Sequence, residues 1–314
     1  MQLLQPEAQP SELAGGFVQF VKEAAKTADE HIKDGRFQRS LAALAAVSSF
    51  VSGLEVSYEH YKGSYGNRMM YTPVILSGLL TGAAIAGVFS AKAARTILRW
   101  ASAVTLADGV IGFGFHIRGI QRKPGGWRIP LTNIIMGPPL FAPVLFGTAA
   151  YLGFIASYLR PEQESRGIPR ASGYTGWRRE LNEGQFQKHM SAVAALWTLC
   201  SGAEAWYSHY KSRFRIWAQW TPVLLSPVQF AACVGSIYSE TVARKILPAA
   251  SAVTMVNGTV GFFYHARGIK RRSGGLTHWL YNILYGPPIF APLLFSACGM
   301  LGLLACVLRR EKRD

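Results

Sequence analysis

Shifted by 149 positions, the sequence falls on itself. Phe37 lands on Phe186, His60 on His209, Thr72-Pro73 on Thr221-Pro222, His116 on His265 and Arg160 on Arg309. The offset stays constant over about 124 residues, so the copies 37–160 and 186–309 are free of insertions and deletions relative to each other. A repeat of this length predicts two equivalent structural units, which any fold assignment must respect. Roughly two positions in five are identical between the copies. The chain therefore carries its own internal comparison, which separates retained polar residues from those that drifted.

Within each copy, apolar stretches of 18 to 27 residues alternate with short basic loops. That is the pattern of helices crossing a bilayer. The spacing predicts spans near 41–58, 70–89, 97–117 and 133–158, then 190–207, 219–238, 246–266 and 282–307. The expected fold is thus all-α: a polytopic integral membrane protein of eight transmembrane helices, arranged as two tandem four-helix units. Several spans are rich in Ala, Gly and Ser, small residues that let membrane helices approach closely.

The domain plan follows. Residues 1–36 form an N-terminal segment in which Phe17, Phe20, Val21, Ala24 and Ala25 recur at helical spacing, as in an amphipathic helix lying on a membrane face. They contain no apolar core that would make a cleavable signal, so the first span is expected to act as its own insertion signal. Residues 37–160 and 186–309 are the two membrane units. The polar stretch 161–185, rich in Gly and Pro, reads as a linker, and 310–314 as a basic tail. An even number of spans per unit gives both units the same orientation in the membrane.

A net charge of +16 invites a nucleic-acid reading, but its distribution argues for a membrane surface. With the N-terminus inside, the inner segments carry 20 Lys and Arg and the outer loops 13. This bias predicts a multi-pass protein of the cell's inner (plasma) membrane with both termini cytoplasmic and no nucleic-acid partner. All four cysteines lie in the second copy without Cys-x-x-Cys spacing, so they read as small buried apolar residues. The chain lacks a phosphate-binding Gly-rich loop, a dinucleotide fingerprint, a His-Glu-x-x-His pair and a nucleophile elbow, and so shows no soluble catalytic domain.

The shared polar residues cluster. Gly53, Glu55, Tyr58, His60, Tyr61 and Lys62 recur as Gly202, Glu204, Tyr207, His209, Tyr210 and Lys211, at the outer end of each first span. Gly112, His116, Arg118 and Arg122 recur as Gly261, His265, Arg267 and Arg271, closing each third span. Thr-Pro pairs open the second spans and Gly-Pro-Pro-x-Phe-Ala-Pro segments the fourth. Up-down topology brings all of these to one membrane face.

Gly53 lies seven residues before His60, and Gly112 four before His116, so glycine and histidine share a helix face in each case. Such strips suit a flat macrocycle. In an antiparallel four-helix bundle the first and third helices stand diagonally opposite, so His60 with His116, and His209 with His265, are candidate ligands of a haem b. Arg118, Arg122, Arg267 and Arg271 are then candidates to pair with its propionates. The bland reading of the same residues is helix packing and arginines reaching lipid phosphate.

A divalent metal ion held by the same histidines with Glu55 and Glu204 is a second reading. Glu55 and His60 are about 140° apart on their helix, however, and Glu55 instead shares a face with Tyr58 and Lys62. A buried Glu–Tyr–Lys network accounts for it more simply. A pocket for a quinone-like or anionic ligand, in which His and Glu exchange protons, is a third reading. Asp108, matched by Asn257, is a mid-span carboxylate that needs a polar partner.

These residues point to a redox or quinone-associated membrane subunit, with one site per repeat and other membrane or redox subunits as partners. A small-solute carrier or a non-catalytic membrane scaffold is the alternative. Against a carrier, the shared polar residues sit at one face and leave the midplane bare.

Overall fold

In the computed structural model, 36–159 and 185–308 are described, with scattered positions between 16 and 31. The expected surface helix at 15–34, the linker at 161–185 and the basic tail therefore lie wholly or largely outside the described residues. No strand occurs among the described residues.

The long helices are α1 (Arg36–Lys62), α2 (Thr72–Phe89), α3 (Ala91–Gln121), α5 (Ala142–Leu159), α6 (Gln185–Lys211), α7 (Thr221–Tyr238), α8 (Val242–Lys270) and α10 (Ala291–Val307). Short helices α4 (Pro130–Ile135) and α9 (Trp279–Leu284) precede α5 and α10. Five helical runs are long and apolar enough to cross a bilayer: Arg36–Lys62, Arg68–Phe89, Ala91–Gln121, Trp217–Tyr238 and Val242–Lys270. Ala142–Tyr158 and Ala291–Val307 are apolar but shorter. These runs mark a membrane protein.

The expected fourth spans begin late. The chain runs non-helically through Gly137-Pro138-Pro139 and Gly286-Pro287-Pro288, and the spans start only at Ala142 and Ala291. Two successive prolines remove two N–H donors, and each Pro disfavours helical backbone in the residue before it. Because α5 starts at Ala142, Pro143 falls in its first turn, where its missing N–H costs nothing.

Within each half the long helices pack in a ring. In the first, α1 contacts α2, α2 contacts α3, α3 contacts α5 and α5 returns to α1; α6, α7, α8 and α10 do the same in the second. First and third helices thus face each other across the ring. Close approach is bought by glycine: a Cβ on Gly53 would sit 2.2 Å from Ser77 Oγ, and one on Gly202 would sit 2.1 Å from Ser226 Oγ.

The exterior is apolar at mid-helix, with Leu79, Val110, Leu224 and Val256 each more than half exposed. The interior holds polar pairs such as Gln229 with Ser251 and Ser236 with Ser191, each at 3.0 Å. Apolar outside with polar pairs inside is the arrangement a lipid solvent selects. One continuous core runs through both halves, from Leu41 and Ala45 through Leu145 and Leu152 to Met190 and Leu301. Trp197, on α6, donates from its indole to the Val144 carbonyl on α5 across the seam.

Candidate functional site

Each of the four histidines is half-buried and held by one hydrogen bond to the main chain. His60 Nδ1 lies 2.6 Å from the Met70 carbonyl oxygen, and His209 Nδ1 lies 2.8 Å from that of Gln219. His116 Nδ1 is 2.5 Å from the Pro139 oxygen and His265 Nδ1 is 2.6 Å from the Pro288 oxygen. A carbonyl can only accept, so Nδ1 carries the proton in every case and Nε2 is left with its lone pair. That is how proteins fix a metal-ligating imidazole in tautomer and direction. The acceptors come from the short turn entering the second long helix of each half and from the Gly-Pro-Pro strap entering the fourth. Neither was visible as a partner in the sequence.

The rings converge in pairs. His209 and His265 have ring centroids 6.4 Å apart with planes at 73°, and His116 lies within electrostatic range of His60. A metal bound at about 2.0–2.1 Å from an imidazole nitrogen lies about 3 Å from that ring's centroid. Two imidazoles sharing one metal then have centroids about 6 Å apart. The observed separation fits, and it is also an ordinary edge-to-face distance.

The turn after each first long helix holds two successive non-glycine residues in left-handed backbone: Ser64 and Tyr65 at φ 54° and 46°, Arg213 and Phe214 at φ 57° and 47°. For rings as large as Tyr and Phe this is strained. The strained turn sets an aromatic edge against the imidazole, with His60–Tyr65 centroids at 6.1 Å and His209–Phe214 at 6.2 Å.

Glu55 and Glu204 are not aimed at the histidines of their own half. Glu204 Oε2 accepts the Phe141 amide at 2.8 Å, and the Tyr207 hydroxyl accepts the Leu140 amide at 3.0 Å. The second helical half thereby grips the strap of the first. In return, Glu55 reaches the Phe290 backbone and the Tyr58 hydroxyl, and Tyr58 lies at the Ile289 backbone. This second clasp is looser, since the buried Tyr58 oxygen completes no hydrogen bond of normal geometry, and Glu204 Oε1 is likewise buried and unpaired.

Each carboxylate thus sets an oxygen against the backbone of the opposite half's strap, away from the histidines of its own half. Of the expected Glu–Tyr–Lys network, Glu55 meets Tyr58 as expected, while the lysine turns to another carboxylate. Lys62 Nζ pairs with Glu59 at 2.6 Å and lies over the Tyr58 ring at 5.6 Å.

Gly112 and Gly261 flank no open strip. A Cβ there would meet Pro143 Cβ or Pro292 Cβ at 3.0 Å, just as Gly53 and Gly202 are filled by serines. The four glycines serve helix packing, so a macrocycle would lie along other surfaces. Arg118, Arg122, Arg267 and Arg271 are exposed beyond the histidines, and among the described residues their guanidinium groups meet no side-chain partner. Asp108 accepts from Thr72 at 2.7 Å, and Asn257 donates to Thr221 at 2.7 Å, so the drifted pair keeps one contact.

Among the described residues no group of three or more His, Cys, Asp and Glu comes together as a metal cage. The cysteines are buried and unpaired with one another, as expected. No protein-family model matches the chain, nor does any curated protein or solved structure.

Proposed function

We propose that the protein is an eight-span membrane redox subunit, built by tandem duplication of a four-helix unit, with one bis-imidazole haem site in each unit near one membrane face. His60 with His116, and His209 with His265, would hold the haem. The observation that carries this reading is the combination of carbonyl-fixed Nδ1 atoms with ring centroids 6.4 Å apart in the second pair. Two imidazoles are too few for a bare divalent ion, which takes three or four protein ligands, but they are the full axial set of a haem whose porphyrin supplies the rest.

Bound haem would supply one-electron storage. The chain's own residues orient the imidazoles through the Met70, Gln219, Pro139 and Pro288 carbonyls, and each half's Glu–Tyr clasp holds the other half's strap in register. The exposed arginines are placed for propionates at the outer face, with both termini on the cytoplasmic side of the plasma membrane. Both histidine pairs close the same end of their four-helix unit, so electrons held there would move laterally and a partner redox subunit would complete the path.

The test is the absorption spectrum of the purified protein, oxidised and then dithionite-reduced. A Soret band that sharpens and shifts on reduction, with resolved bands at longer wavelength, is expected. A spectrum without a Soret band sinks the proposal.

A further inference from the structure

Next to Phe214 the two halves line an open cavity of about 870 Å3. Its walls are aromatic. Trp206 and Tyr210 stand on consecutive turns of α6 with ring centroids 5.9 Å apart. Phe214 stacks on Trp220 at 3.9 Å with planes at 17°. Ile135 and Met136, at the end of α4 in the first half, close the far side, and Lys211 and Arg213 stand exposed at the rim. Phe214 is the ring that the strained turn presses edge-on to His209, so one aromatic side chain separates the cavity from the imidazole.

We propose that this cavity binds a quinone headgroup and is the place where the lipid-soluble carrier meets the protein. Its size is that of a small-molecule site. Flat conjugated walls match a flat conjugated ring, whereas a lipid headgroup needs no stacked rings. The rim cations donate hydrogen bonds to carbonyl oxygens and favour the negative charge these acquire on reduction. The cavity sits at the end of the helices where apolar exterior gives way to loops, the depth at which a quinone ring on an isoprenoid tail resides.

The two halves are not equivalent here. At the positions of Trp206 and Arg213 the first half has Ser57 and Ser64, and its Tyr65 hydroxyl donates to the Ser57 carbonyl at 3.0 Å, tying that turn to its own helix. One quinone site per chain follows. Its redox role rests on the haem sites proposed above, while occupancy of the cavity does not. Oxidation of one bound quinol yields two electrons and two protons. Haem held by the two histidine pairs would supply an acceptor for each electron, and the protons would leave through the exposed rim.

The experiment titrates decylubiquinone into purified protein in phosphatidylcholine nanodiscs, with binding read by calorimetry and the haem spectrum recorded on the same samples. Trp206→Ser and Arg213→Ser install the residues the first half already tolerates at those positions. One saturable site per chain is expected, weakened about tenfold by Trp206→Ser through loss of an aromatic wall, and weakened by Arg213→Ser to a smaller degree. His265 lines no part of the cavity, so His265→Ala keeps quinone binding while the haem of that pair is lost. No saturable binding overturns the proposal, as does binding indifferent to both serine variants. Displacement of the quinone by phosphatidylglycerol in the discs also overturns it and makes the cavity an anionic-lipid site. Quinone binding without a Soret band sinks the haem sites and leaves the cavity intact; a haem spectrum without quinone binding does the reverse.

Discussion

Removing the Glu204 carboxylate should damage the half of the protein that does not contain it. Glu204 lies on α6, yet its Oε2 accepts the Phe141 amide of the first half at 2.8 Å, two residues past the Pro139 carbonyl that orients His116. Glu204→Ala leaves that amide buried without an acceptor, at about 1–3 kcal/mol. Glu204→Gln keeps a carbonyl oxygen in place and should cost well under half as much.

Tyr207→Phe exposes the neighbouring Leu140 amide to the same fate at about 1 kcal/mol. Because both groups hold one strap, Glu204→Ala and Tyr207→Phe combined should cost less than the sum of the two single changes. Reversible unfolding in mixed detergent measures the energies. Haem retention in variants that keep only one histidine pair shows which site suffers. Loss confined to the His60–His116 site is expected. Loss confined to His209–His265, or equal losses for Ala and Gln, would refute the clasp.

Three further outcomes follow from the same geometry. Asp108→Asn should unfold within about 0.5 kcal/mol of the parent, since Asn257 makes the matched contact to Thr221, whereas Asp108→Leu should cost about 1 kcal/mol by leaving Thr72 only its bond to the Met69 carbonyl. Ser64→Gly should stabilise by about 1 kcal/mol, because Ser64 holds φ 54° and glycine adopts that backbone without penalty; a destabilised variant in thermal unfolding would show that the turn is not strained. Gly202→Ala should destabilise by about 1–3 kcal/mol, its Cβ meeting Ser226 Oγ at 2.1 Å, and Ser226→Gly on the same chain should recover most of the loss.

The helices and the pairing of polar residues were legible in the sequence because both rest on periodicity. Apolar runs between basic loops gave the long helices, and the constant offset drew attention to His60, His116, His209 and His265. What could not be read was anything that depends on where two distant backbones meet. Met70 and Gln219 are not identical, yet both orient a histidine, since the contact uses the carbonyl and is blind to the side chain. The Gly-Pro-Pro segment was visible as a repeat, but its place as a non-helical strap depends on which half supplies acceptors for its amides.

The partners of Glu55 and Glu204 were out of reach for the same reason. Helical spacing relates a residue to its own helix only, and their partners lie in the opposite half. The glycines showed the limit from the other side. A small-residue strip has one appearance in sequence whether a cofactor or a neighbouring helix fills it.

Haem counted per chain tests the twin-site claim most directly. Pyridine haemochrome assays on the purified parent, on His116→Ala, on His265→Ala and on the double variant should give two, one, one and none. A parent without haem, or a double variant that keeps its full complement, would contradict it.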